Sequence, residues 1–229
     1  MGLKKNPNDS LYQEPVLVEG AQIGPRLVSA TETLPAFYIG EARELITALS
    51  VHKYLTTALA GTNNDITFFA KRSGDQDITI TYTDPGGVSA SFAVEVVDGD
   101  IEITLARAAS AIVTKASDVI AGIEASTAAS ALVSAIPADG NDGTGVVTAL
   151  TETSLGGPAG TNPTLDVEFK ASIGGINFYS INAHFAQKTD VAETEGGNFV
   201  NLATWGQYTL TLGGTNSVFA ISIETAYKP

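Results

Sequence analysis

Apolar and polar positions alternate most cleanly between Asp77 and Leu105. Ile78, Ile80 and Tyr82 are interleaved with Thr79, Thr81 and Thr83, the period of a half-buried strand. Asp84-Pro85-Gly86-Gly87 places Pro and Gly as a type II turn requires. Phe92, Val94 and Val96 share one face of the next run, with Ala93, Glu95 and Val97 on the other. Asp98-Gly99 signals a two-residue hairpin, in which both turn residues take positive φ. Ile101, Ile103 and Leu105 resume the alternation, and Asp65–Ala70 forms a further run ahead of it. Together these segments predict an antiparallel meander. From Thr114 to Ala135 the period changes. Ser117 is a candidate cap, Asp118 suits the positive first turn, and Val119, Ile120 and Ile123 fall on one helical face. Thr127–Ser134 predicts a second short helix, stopped by Pro137. The helices are expected to cover one face of the meander, and Val146–Leu150 to add a last strand.

The flanking regions read differently. Residues 1–24 are polar and broken by Pro7, Pro15, Gly20 and Gly24. They fit either a frayed terminus or an extended arm that orders on a neighbouring subunit, with Val16, Leu17 and Val18 as its candidate contacts. Ala36–Ile39 is β-prone, and Glu44–Val51 is compatible with a strand or a short helix. Gly156-Gly157-Pro158-Ala-Gly160 reads as a linker. Beyond it Leu165, Val167 and Phe169 alternate with Asp166, Glu168 and Lys170, Gly174-Gly175 turns the chain, and Ile176–Ala186 follows as a strand. Tyr208, Leu210 and Leu212 predict another strand, Gly213-Gly214 a second turn, and Phe219, Ile221 and Ile223 a closing strand. This spacing suggests a β-sandwich. A tail of about 70 residues is marginal for a free-standing one. Strands within residues 36–51 would supply what it lacks, which favours strand for Glu44–Val51. The expected fold is therefore mainly β with a smaller α+β part. A sandwich built from residues 25–56 and 158–229 would carry an inserted domain at 57–157, preceded by the arm at 1–24. The rival arrangement is three modules in a row.

Charge narrows the function classes. The 229 residues hold 25 acidic and 12 basic side chains, a net charge of −13. Phosphate-mediated nucleic-acid binding needs clustered Lys and Arg, and an anionic membrane surface repels such a chain. Neither partner is expected; an acidic surface suits solubility, or docking to a basic partner. There is no cysteine, so disulfides and thiolate metal sites are excluded. No apolar run approaches the roughly 20 residues of a membrane span. Met1-Gly-Leu-Lys-Lys-Asn6 leads into no apolar signal core, and Asn6 stands where a myristoylation motif wants Ser or Thr. A soluble protein made in a cytoplasm is the expectation.

Catalytic and metal-binding patterns are weak. His52 and His184 are the only histidines. Ser180, His184 and an Asp could form a triad, but no nucleophile-elbow motif accompanies them. Asp139-Gly-Asn-Asp-Gly143 resembles the start of a calcium loop, yet Leu150 occupies the twelfth position, where an EF-hand places Glu. An Asx/Gly turn is the favoured reading, and no cofactor or metal is expected. Trp205, Tyr208 and Tyr179 are candidates for a sugar-binding face, though a lone Trp in a β domain is more often core or interface. Trp205 and Tyr208 are accordingly named with Val16, Leu17 and Val18 as interaction residues.

Two blocks carry a family resemblance. Asn64-Asp-Ile-Thr67, Ile78-Thr-Ile-Thr-Tyr-Thr-Asp-Pro-Gly86, Val119-Ile-Ala-Gly-Ile123 and Asn141-Asp-Gly-Thr-Gly-Val-Val147 resemble a βββαβ module of tailed-phage virion proteins, including tail-sheath-like and head proteins. Asn162-Pro-Thr-Leu-Asp-Val-Glu168, Gly175-Ile-Asn-Phe-Tyr179, Tyr208, Gly213-Gly-Thr215 and Phe219 resemble small β-sandwiches encoded beside phage capsid genes. In those a segment like Ala42-Arg-Glu-Leu-Ile-Thr47 directly precedes the Leu-Asp-Val strand, so its distance here favours an insertion. The resemblance implies a noncatalytic virion structural protein assembled in the host cytoplasm, best a capsid decoration (cement) protein bound to the major capsid protein or other virion proteins. Self-association, for instance as a trimer, suits a symmetric lattice. A tail, adaptor or fibre component and a host-glycan-binding module are the alternatives.

Overall fold

The computed structural model describes residues 16–17, 22–39, 44–74, 76–173, 175–189, 195–200 and 205–228. It is mainly β, with two helices among the described residues. The first strands are β1 (Val16–Leu17), β2 (Ile23–Val28), β3 (Glu32–Thr33), β4 (Phe37–Tyr38) and β5 (Glu44–His52). There follow β6 (Tyr54–Thr56), β7 (Ile66–Ala70), β8 (Thr79–Thr83), β9 (Ala93–Val97), β10 (Asp100–Thr104), β11 (Arg107–Ala108) and β12 (Ala111–Ile112). Helices α1 (Ala116–Ala125) and α2 (Thr127–Leu132) come next, then β13 (Val133–Pro137), β14 (Leu150–Ser154), β15 (Ala159–Ser172), β16 (Tyr179–His184), β17 (Glu195–Val200) and β18 (Trp205–Lys228). The chain divides into two compact units. One draws on Met1–Ser50, Gly160–Thr189 and Glu193–Pro229, and the other is built on Val51–Ala159 between those stretches.

The first unit is organised by β18. The chain from β1 to β4 runs antiparallel beside it, from Val16 opposite Tyr227 through Phe219 opposite Val28 to Trp205 opposite Tyr38. Its other neighbours are β15 and β5, with β16 and β17 beyond them. Trp205–Leu210 belongs to one half of this sheet and Phe219–Tyr227 to the other. The halves face each other, because the Tyr208 hydroxyl reaches Thr225 at 2.7 Å and Thr47 at 2.9 Å. Leu165, Val167, Phe169, Leu210, Phe219, Ile221 and Ile223 fill the interior, as their alternation predicts.

Two expectations change in this unit. Val16 and Leu17 pair with the protein's own last strand, and β2 begins inside the segment expected to be arm. Val18 lies outside the described residues. Gly213-Gly214 lies inside β18 rather than between two strands, and the chain bends around it: Leu210 pairs with Glu32 and Phe219 with Val28, and φ is positive at Gly214 and Asn216. A Cβ at Gly214, where φ is +86°, would stand 2.4 Å from the Asn162 carbonyl oxygen, and one at Gly213 would stand 2.3 Å from Thr164 Oγ1. The glycines also admit β15 at close range. Glu44–His52 is a strand, the state favoured from topology.

In the second unit β14, β8, β10 and β9 form one sheet, and β13, β7 and β6 another. One apolar core serves both sheets and the helices, with Phe68, Ile80, Tyr82, Ile101, Ile103, Val119, Ile123 and Val133 at its centre. The Asp98-Gly99 hairpin forms, with φ of +52° and +98°. The antiparallel meander does not: β8 lies parallel to β10, with Ile80 opposite Ile101, and β7 belongs to the other sheet. Nine residues separate β8 from β9, too many for a tight reversal. They fold back instead on Arg107, whose backbone exchanges two hydrogen bonds with Ala90. That excursion carries β9 to the far side of β10.

Three boundaries also differ. Lys115, not Ser117, precedes the first helical residue, and its N–H donates to the Asp118 carboxylate at 2.8 Å. The second helix ends at Leu132, because Val133–Pro137 pairs with β7 and this tertiary pairing outweighs local helix preference. Pro137 is tolerated at the end of an edge strand. The last strand starts at Leu150, since Val146 and Val147 are tied elsewhere, by Asn64 Nδ2 to the Val146 carbonyl and by the Val147 N–H to Thr114.

Candidate functional site

The four described residues among those expected to mediate interactions, Val16, Leu17, Trp205 and Tyr208, do not form one site. Tyr208 is 1% exposed and part of the core. Its ring lies 5.5 Å from that of Phe37 and 5.3 Å from that of Phe169. Burial pushes its hydroxyl up to about 12, against the opposing pull of the hydrogen bonds with Thr225 and Thr47. Trp205 is half-buried and meets Tyr38 edge-on at 5.2 Å. Val16 and Leu17 are strand residues at the opposite end of β18.

Around Trp205 lies a surface that alternation alone did not single out. Tyr38 stands directly opposite Trp205 on β4 and is 57% exposed, while Phe37 and Ile39 beside it point into the core. Tyr179, opposite the core-facing Ala171 at the start of β16, is 67% exposed but falls on the other face of the sheet from Trp205. Ile173 and Ile176 flank the turn between β15 and β16 and are 81% and 85% exposed. A Cβ at Gly175 would be 3.1 Å from the Trp205 ring, so the turn rests on the indole. The legible signal was two isoleucines around a Gly-Gly turn, a place where polar residues are usual.

In the second unit the exposed loops are held by their own side chains. Arg107 binds both Asp84 carboxylate oxygens at 2.5 Å and the Gly87 carbonyl at 3.0 Å, and it also donates to the Ser110 carbonyl. The Gly86 N–H and this guanidinium hold the Asp84 carboxyl below its ordinary range. Val88, 69% exposed, lies in the loop they shape. In the Asp139–Gly143 loop, Asp142 accepts from the Thr144 N–H at 3.0 Å and its hydroxyl at 2.6 Å, which lowers the Asp142 carboxyl, and Asn141 Oδ1 accepts from the Asp65 N–H at 3.3 Å. These oxygens serve turns. Among the described residues no group of three or more His, Asp or Glu could hold a metal ion. His52 is buried at the end of β5, and His184 pairs with Glu168 across β15 and β16. No described helix is long and apolar enough to cross a membrane.

Comparison with protein-family models, with curated proteins and with solved structures finds no match.

Proposed function

We propose that the protein is a noncatalytic structural component of a tailed-phage virion, and within that class a decoration protein that binds and stabilises the head. The observation carrying this reading is how the two resembling blocks fall in the chain. Those from Asn64 to Val147 lie within one compact unit, and those from Asn162 to Phe219 within the other. Each set of blocks therefore falls within a single compact unit, the second together with the strands of the N-terminal region. Stabilisation would come from surface buried across capsid seams, about 1,200–2,000 Å² for a stable contact, repeated over many copies. An acidic chain suits a basic seam.

The test is copurification with capsids and the heat stability of capsids assembled without the protein. Saturating binding and a lowered disruption temperature in its absence support decoration. A low copy number in the virion moves the protein to the tail. Absence from virions and from capsids overturns the proposal.

A further inference from the structure

We infer that the Asp84–Pro85 bond is a latent self-cleavage site of this chain, and that Arg107 is the residue that keeps it closed. The inference goes beyond the virion reading and does not depend on it.

The chemistry is set by two adjacent residues, the sole Asp-Pro pair in the chain. The Asp84 carboxylate attacks the carbonyl carbon of its own residue, the bond to the Pro85 nitrogen breaks, and that nitrogen takes a proton from solvent and leaves as a secondary amine. Water then opens the cyclic anhydride, so Asp84 becomes a new C-terminus and Pro85 a new N-terminus, with net consumption of one water molecule. Proline favours this course twice over. Lacking an N–H, it cannot enter the imide that competes at other Asp-X bonds, and its tertiary amide nitrogen accepts a proton more readily than a secondary one.

The structure supplies the restraint. The pair stands on the exposed loop between β8 and β9, open to water and acid. Its carboxylate is nevertheless engaged: Arg107 Nη1 reaches both oxygens at 2.5 Å, and the Gly86 N–H donates to Oδ1 at 2.9 Å. The rest of the loop is tied to the same arginine, whose Nε donates to the Gly87 carbonyl at 3.0 Å and whose backbone pairs with Ala90, while the Ser110 N–H holds the Val88 carbonyl at 2.9 Å. To attack, the carboxylate must leave the guanidinium and rotate toward its own carbonyl, giving up charge-assisted hydrogen bonds. Arg107 therefore occupies the nucleophile and stiffens the loop in which it would move. A cut here parts β8 from β9 in sequence but not in space, since both pair with β10. The nicked chain stays assembled, and the cut shows only on denaturation.

The experiment incubates the full chain at about pH 4, where a free aspartate is partly ionised, and reads the masses after denaturation. Folded wild type is compared with wild type unfolded in urea, with Arg107→Ala and with Asp84→Asn. Circular dichroism establishes which samples are folded; should Arg107→Ala not fold, Arg107→Lys takes its place, since lysine lacks the fork that spans the carboxylate and the Gly87 carbonyl. The expected result is an intact folded wild type. Fragments 1–84 and 85–229 should form in the urea sample and in the folded arginine variant, at least about fivefold faster, the factor one well-aligned ion pair supplies. Asp84→Asn should show no cut. Folded wild type that is cut as fast as the urea sample overturns the inference, as does a folded arginine variant cut no faster than wild type. A cut at the same bond in Asp84→Asn marks ordinary acid hydrolysis and overturns it as well.

Discussion

Tyr208 joins the two halves of the β18 sheet through its hydroxyl, so its polar atom matters as much as its ring. Replacing it with Phe leaves Thr47 and Thr225 only a long mutual contact of 3.4 Å. Tyr208→Phe is expected to destabilise the first unit by about 1–2 kcal/mol, the usual cost of a lost buried hydrogen bond, read as a lower urea midpoint at unchanged slope. Ionisation follows the same geometry. The folded value near 12 lies above the ordinary value of 10.0, so the unfolded chain releases its proton first. Stability is unaffected by this group below about pH 10 and falls as pH rises from there toward 12. The phenylalanine variant loses that part of the alkaline slope. Burial and the nearby Asp65 also raise the Tyr82 hydroxyl, and burial raises Tyr54. Tyrosinate absorbance should therefore show fewer of the seven tyrosines ionising near pH 10 in the native protein than in urea. Equal titrations in both states would contradict this packing.

At the scale of elements, strand positions were readable and strand partners were not. Alternation placed the buried faces of β8, β10, β15 and β18, because each face is a local property of its own residues. Pairing is nonlocal. The parallel contact of β8 with β10 depends on how Arg107 gathers the Asp84–Ala90 loop, and no periodicity in either strand encodes that. Gly213-Gly214 was ambiguous for a related reason: glycine serves a tight turn and a close neighbour equally well. The candidate surface was half legible, since Trp205 drew notice as the sole tryptophan while Tyr38, Ile173 and Ile176 needed the structure to show which way they point. Gly214→Ala separates the two roles of this pair. It combines positive φ with a backbone oxygen that cannot move aside, and should cost about 2–4 kcal/mol. Gly213→Ala meets a rotatable threonine hydroxyl and should cost less. For the loop, Arg107→Ala should speed amide exchange at Gly86 and cleavage between Asp84 and Ala90. The Asp84–Arg107 contribution is present above the ordinary carboxylate range and lost as pH falls through the lowered value.

At the scale of the whole chain, the second unit starts and ends at one place. Tyr54 and Gly156 form a bridge, each N–H donating to the other's carbonyl at 2.8 Å. With its own core and its ends held together, a fragment of residues 51–159 should fold alone and show a cooperative thermal transition. A fragment with poorly dispersed amide resonances and no transition would refute this. The bridge also bears on the energetics of the remaining chain. To the first unit, everything between Ser50 and Gly160 is a single loop. Were that loop a random coil, closing about 100 residues would cost on the order of 4 kcal/mol in configurational entropy. Folded, with its two strands already side by side, it presents the closure of a short hairpin. Unfolding the second unit should therefore lower the stability of the first even if no side chain passes between them. A mutation in one core would then weaken the other through the entropy of the connection.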